Sequence, residues 1–246
     1  MKRIITYLFF VLLIVGLVFC YGFSLNRNAS KTIDNIEVEF NAGDNSFLTH
    51  ELVNKLLIQN DSSVQNQTKR VIDLHELENT VLSSPYIEDA TVFVTPGGLL
   101  KTQVTQREPL ARIINGKEAF YLDRYGVKIP MSENFSARVP LVFGLNSSSN
   151  FKEITKFIAL LFDDGFLKKE IVSVESLPSN EYNLSVRSGD YKIQFGEFTQ
   201  VDEKVKKIKA FYNKALADNT IKNYKTINVK YHNQVICTKQ NQDGEQ

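Results

Sequence analysis

Ile4 to Phe23 is an unbroken apolar stretch, and it constrains this chain more than any other feature does. Its 20 residues carry no charge, and at about 1.5 Å rise per residue a helix of that length reaches about 30 Å, the thickness of a bilayer's hydrocarbon core. Fourteen of them are Leu, Ile, Val or Phe, so insertion is favoured by about 5 kcal/mol. Lys2 and Arg3 directly precede the stretch, which predicts a cytoplasmic N-terminus and an extracytoplasmic remainder. Arg27 and Lys31 follow closely and weaken that bias. A cleaved signal peptide would need a shorter apolar core and a small-x-small cleavage site. Leu17 to Cys20 has the spacing of a lipid-attachment site, but Phe19 stands where a small residue is needed. The ordinary reading of Cys20 is an uncharged cysteine within the membrane.

Acids and bases nearly balance, giving a net charge of +1, so no overall field favours nucleic acid or an acidic substrate. With Cys20 in the span and Cys237 near the far end, no internal disulfide framework is available. Stability must come from packed cores.

The pattern divides the chain into a cytoplasmic tail (1–3), a transmembrane helix (4–23), a polar tether (24–32), a first domain (33–106), a second domain (107–240) and a frayed tail (241–246). Ile33, Ile36, Val38 and Phe40 predict a strand ending in the turn Asn41 to Asp44. Leu48, Leu52, Val53, Leu56 and Leu57 recur at helical spacing between Phe47 and Gln59, with Thr49 as N-cap. After the polar, turn-like segment Asn60 to Thr68, Asp73 precedes a second helix carrying Leu74, Leu77, Val81 and Leu82, stopped by Ser84-Pro85. Ala90, Val92 and Val94, then Leu100, Thr102 and Val104, alternate about Pro96-Gly97-Gly98, which predicts a hairpin. The order strand, helix, helix, strand, strand makes a compact α+β module.

Downstream, Asn115-Gly116 and Asp123-x-x-Gly126 are turn signals between short apolar runs. Asn150 is placed to cap a helix with Ile154, Phe157, Ile158, Leu161 and Phe162 on one face, ending near Gly165. Ile171 to Leu177, Tyr182 to Arg187 and Tyr191 to Phe195 read as strands. Thr199 opens a helix whose apolar face is Val201, Val205, Ile208, Phe211, Tyr212 and Leu216, with Lys204, Lys206, Lys207 and Lys209 mostly on its wet side. Those lysines read as a solvated face, with an anion-binding patch as the alternative. Thr226 to Lys239 reads as two strands about His232-Asn233-Gln234. The second domain is expected to be a mainly antiparallel sheet with two helices.

Leu77-Glu78 in the second helix, Ser84-Pro85-Tyr86-Ile87-Glu88-Asp89-Ala90-Thr91-Val92 entering the hairpin, and Val104-Thr105-Gln106-Arg107-Glu108-Pro109-Leu110-Ala111 leaving it together resemble a POTRA domain. More narrowly they are similar to the FtsQ/DivIB family of bacterial cell-division proteins. Phe120 to Val127 resembles that family's tyrosine-x-aspartate-x-x-glycine hairpin, and Val139 to Gly144 its proline-containing strand. The family's closing aspartate-leucine-arginine-tyrosine motif stands here as Asn228-Val229-Lys230-Tyr231, which keeps the tyrosine and replaces the aspartate and arginine by Asn228 and Lys230.

No catalytic, cofactor or metal site is expected. His50, His75 and His232 have no ligand spacing, and neither a nucleophile elbow nor a phosphate-binding glycine loop occurs. Asp163-Asp164 before Gly165 reads as a helix-end turn, and the triplet Asn66-Gln67-Thr68 carries no assigned role. The resemblance implies instead a non-enzymatic, membrane-anchored scaffold of the divisome at the septum. Its implied partners are small coiled-coil proteins of the FtsB/FtsL type and other divisome components, with no nucleic acid, small-molecule substrate or cofactor. In that family the last strands receive a partner strand, a mode that an open sheet edge supports physically.

The expected contact residues are Ile227, Val229, Lys230, Tyr231, Asn233 and Val235, with Tyr231 as anchor. Alternation puts Ile227, Val229 and Tyr231 on one face, which is either the contact face or the core face. A rival reading is a POTRA-bearing assembly or secretion factor, but the downstream segment is too short and too helical for a membrane barrel.

Overall fold

The computed structural model describes residues 2–41, 47–58, 67–69, 71–116, 118–145 and 151–240. The expected turn at Asn41 to Asp44, the segment Asn60 to Thr68, the Asn150 cap and the tail at 241–246 fall wholly or largely outside the described residues. The chain forms two compact units that divide between Gln106 and Arg107.

The first unit begins with helix α1 (Lys2–Ala29). Tyr7–Arg27 within it is long and apolar enough to cross a membrane, and none of it is buried by protein. The helix runs six residues past Phe23, so most of the expected 24–32 tether is helical. Nothing in Ser24 to Ala29 breaks a helix: it holds no Pro or Gly, and Ser30 N–H still donates to Asn26 O at 3.0 Å.

There follow β1 (Asn35–Phe40), α2 (His50–Ile58), α3 (Leu74–Leu82), β2 (Ile87–Val94) and β3 (Leu99–Gln106). The sheet order is β1-β3-β2, with β1 parallel and β2 antiparallel to the central β3. Ile33 lies just before β1 and is buried nevertheless. Both helix starts are capped by the side chains the sequence marks: Thr49 Oγ1 accepts from Leu52 N–H at 3.3 Å, and Asp73 Oδ1 accepts from His75 and Glu76 N–H at 3.0 and 3.1 Å. Ala90, Val92, Leu100, Thr102 and Val104 line the buried sheet face against Val53, Leu57, Leu77 and Val81. Leu52 and Leu82 were expected in that core and are exposed instead. On helices of only nine residues the buried stripe is narrow, and their neighbours Val53 and Val81 take the inward positions.

The second unit is a nine-stranded mixed sheet. Its strands are β4 (Pro109–Asn115), β5 (Glu118–Asp123), β6 (Lys128–Pro130), β7 (Leu141–Phe143), β8 (Ile171–Ser176), β9 (Tyr182–Val186), β10 (Lys192–Gly196), β11 (Tyr224–Asn228) and β12 (Ile236–Lys239). Their order is β12-β11-β10-β9-β8-β7-β4-β5-β6. Five neighbouring pairs are antiparallel, while β4/β7, β7/β8 and β10/β11 are parallel. Helix α4 (Phe151–Phe162) and the short α5 (Leu167–Glu170) carry the crossover from β7 to β8, and α6 (Val201–Ala217) the one from β10 to β11, while β4 reaches β7 by way of β5 and β6. Ile154, Phe157, Ile158 and Leu161 of α4, with Ile208, Tyr212 and Ala215 of α6, pack on Ile113, Leu122, Val142, Val174, Leu184, Ile193 and Ile227 of the sheet.

Thr102 is fully buried in β3 with its hydroxyl unpartnered among the described residues. Thr102→Val should therefore raise stability by about 1 kcal/mol, read as a higher denaturant midpoint of the full chain with unchanged slope.

Candidate functional site: the edge of the C-terminal sheet

Helix α6 carries the chain from β10 over the sheet and returns it beside β10 as β11, in parallel register from Lys192↔Thr226 to Gln194↔Asn228. Val229 N–H donates to Gln194 O at 3.1 Å, so the backbones of Ile227 and Val229 face β10, and those of Thr226 and Asn228 face the other way. Thr226 and Asn228 pair with Thr238 and Ile236 of β12. By the period of two, the backbone groups of Cys237 and Lys239 then point away from the sheet. Among the described residues no strand pairs with that side of β12.

The turn before this edge is held by side chains. Lys207 of α6 donates its ammonium to Val229 O at 2.8 Å and Tyr231 O at 2.7 Å. Lys230 N–H donates to Asn228 Oδ1 at 3.0 Å, and Lys230 Nζ pairs with Glu181 at 2.9 Å. The Lys230 stem crosses Gly196, whose φ is +76° and where a Cβ would come within 2.6 Å of Lys230 Cγ. Asn233 turns the chain in the left-handed region, at φ 57°.

Of the six expected contact residues, Ile227 and Val229 are fully buried core and Val235 packs half-buried against that core. Ile227 and Val229 point into the face covered by α6, and Val235 packs at its margin. Lys230 is half-buried on Glu181. Tyr231 is 49% exposed, since β11 ends at Asn228 and the tyrosine leaves the alternation that buries Ile227 and Val229. Asn233 is exposed. Beside them Ile236 is exposed and the backbone groups of Cys237 and Lys239 point outward. The apolar run Val235-Ile236-Cys237 does not mark this in the sequence, because its inward and outward residues share one character.

The other end of the sheet differs. Strand β6 has three residues and closes on Pro130, which has no N–H to offer. Lys128 lies over the rings of Phe120 and Phe151, 4.7 and 5.0 Å from their centroids. Next to it the Tyr121-x-Asp123-x-x-Gly126 motif forms a buried clasp. Asp123 is 2% exposed and accepts from Arg107 Nη1 at 2.8 Å and from Tyr125 and Val127 N–H at 2.9 and 2.8 Å. Gly126, at φ +80°, permits the tight turn. The Tyr121 hydroxyl oxygen accepts from Ala137 N–H at 3.1 Å while its ring lies under Arg112.

The α6 lysines are not one wet face. Lys204 is 4% exposed, donates to Glu197 O at 2.7 Å and lies 4.9 Å from the centre of the Phe195 ring. Burial, and then the charge of Lys207, hold its ammonium below the usual 10.5. Lys209 pairs with Asp164 at 2.8 Å, and that bond with the Leu167 and Phe166 N–H groups depresses the Asp164 carboxyl. On the expected apolar face Leu216 is exposed and Ala215 takes the buried place. The helix begins at Val201 rather than at Thr199, after Gln200 in the left-handed region. Tyr191, Tyr212, Ser188 and Glu170 form a hydroxyl network that is buried at its tyrosine pair, where Tyr191 O–H donates to Tyr212 at 2.7 Å, and reaches the surface at Ser188. Desolvation pushes both phenols upward.

Among the described residues no three of His, Cys, Asp and Glu gather in a metal-holding group. His50 meets Phe40 edge-on, His75 is in the first turn of α3, and His232 lies 3.9 Å from Glu203 on the surface.

Residues 108–238, more than half of the chain, match the family model described as FtsQ/DivIB, C-terminal related. The chain belongs to the FtsQ/DivIB family. Residues 33–105 match the POTRA-like domain model, so the N-terminal sheet and its two helices are a POTRA-like domain. A curated relative, the cell division protein FtsQ of Salinibacter ruber, is 24% identical over 180 residues, covering 67% of this chain and 69% of the relative. A solved structure, the major extracytoplasmic domain of the trans isomer of the cell division protein DivIB from Geobacillus stearothermophilus, is similar at 13% identity and a TM-score of 0.30. That similarity covers 48% of this chain and 98% of that one. For this cell-division protein, the apolar α1 fits a single membrane pass.

Two outcomes follow from the buried charges. Asp123→Ala strands the 19%-exposed Arg107 and two turn N–H groups, and should cost about 3 kcal/mol or more in denaturant unfolding. For Lys204, the unfolded chain binds more protons than the folded one between the depressed folded pKa and 10.5. Its contribution to stability therefore rises as pH climbs through that window, so wild type should gain on Lys204→Met there in paired thermal melts.

Proposed function

We propose that this chain is a single-pass scaffold of the bacterial division machinery, catalysing nothing, which binds small coiled-coil division proteins of the FtsB/FtsL type by strand addition to β12. Through them it helps recruit and regulate septal peptidoglycan synthesis. The observation that carries this reading is the outer side of β12, unpaired among the described residues, beside the half-exposed Tyr231. An extended partner segment would complete the outward Cys237 and Lys239 backbone groups. Tyr231, Asn233 and Ile236 would supply selectivity beside it, a tyrosine giving large contact area at little rotamer cost.

Membrane anchoring through α1 and an extracytoplasmic position for both domains belong to the same proposal. They rest on the span Tyr7–Arg27 and on Lys2 and Arg3 before it. Family membership across 108–238 speaks against the assembly-factor alternative, since the domain present there is not a run of barrel strands.

The edge is tested by Cys237→Pro in the full-length protein. Proline on the solvent side of an edge strand removes one outward donor and disturbs no internal ladder bond. Capture of a small coiled-coil division protein by a photo-crosslinker at Tyr231 or Asn233 should fall by about tenfold or more while the melting temperature stays close to wild type. Undiminished capture in that variant, or capture only from residues of the POTRA-like hairpin, would show that β12 is the wrong edge. Protease shaving of intact spheroplasts should remove both domains.

A further inference from the structure

The POTRA-like sheet has its own long edge. Strand β2 has eight residues and pairs only with β3 among the described residues. Thr95 N–H donates to Leu99 O at 2.9 Å, which sets the parity of the hairpin. Phe93 and Thr91 then exchange bonds with Lys101 and Gln103, and the backbone groups of Ala90, Val92 and Val94 face outward. At the middle of that row, Glu78 of α3 accepts a hydrogen bond from the Val92 N–H, through Oε2 at 3.2 Å. A helix side chain thus occupies the central donor of an otherwise open edge.

We infer that Glu78 is an edge guard that prevents a second copy of this chain from pairing with β2. The occupant follows from the strand's own sequence. An antiparallel copy centred on Val92 sets Thr91 opposite Phe93 and Ala90 opposite Val94, and it places the acids Glu88 and Asp89 opposite the uncharged Pro96 and Thr95 rather than each other. Nothing in that register repels, so without the plug the edge is self-complementary. With the plug in place, a new strand must displace a carboxylate from a charge-assisted hydrogen bond before its ladder can close. This inference is independent of the β12 proposal.

The test uses full-length protein in its membrane, with a photo-crosslinker at Thr91, which is exposed on β2. Glu78→Ala should give a crosslinked homodimer at about ten times the wild-type yield or more. Glu78→Gln retains an amide oxygen for the Val92 N–H and should stay at the wild-type level. Adding a lysine guard on the same strand in Glu78→Ala, by placing the crosslinker at Phe93 and changing Thr91→Lys, should return the yield to the wild-type level, which aggregation of an unfolded variant would not do. A Glu78→Ala protein with no homodimer crosslink overturns the inference. So does one that crosslinks to a different protein instead, or one whose association Thr91→Lys leaves unchanged.

Discussion

A β-strand has two hydrogen-bonding sides, and a sheet that is not closed into a barrel must leave one side open at each end. In the C-terminal domain every strand from β11 to β5 has both sides engaged by neighbours. The two ends are resolved differently: β6 is cut to three residues and finished with Pro130, while β12 has four residues and no proline. The position of β12 is set by the crossover through α6, whose Ile208, Tyr212 and Ala215 must cover the sheet. That requirement makes β11 parallel to β10 and leaves the antiparallel return strand with one neighbour.

The lysines of α6 and the turn show how the fold keeps that margin in place. A single ammonium grips the carbonyls of Val229 and Tyr231, and a second, from Lys230, reaches Glu181. These bonds connect the turn to a helix and to the segment before β9, so its backbone is held by groups outside the hairpin. The aspartate clasp at the opposite end has the same logic: one carboxylate satisfies two turn N–H groups and one guanidinium. A buried carboxylate with three donors is tolerable where an unpaired one would not be.

The POTRA-like domain answers the same constraint with a side chain in place of a proline. Its edge strand β2 is twice the length of β12, and Glu78 takes the central outward donor. Two domains of one chain thus leave edges of different availability, one plugged from its own helix and one with its outward backbone unpaired among the described residues.

Local pattern determined much of this. The apolar run of α1, the two capped helices, the hairpin about Pro96-Gly97-Gly98 and the aspartate turn were legible because each depends on residues within one or two turns of chain. The chain's own pattern did not reveal which strands are parallel, because pairing joins residues far apart: Ile227 meets Ile193, and Val142 meets Ile113 and Val174. Nor did it reveal that Lys204 is buried or that Leu52, Leu82 and Leu216 are exposed. On short or crowded helices the inward direction is decided by what packs against them, and period alone leaves it open. The residues expected at the partner contact divided by burial for the same reason. Alternation placed Ile227, Val229 and Tyr231 together, but only the fold ends the strand at Asn228, buries the first two and lets the tyrosine out.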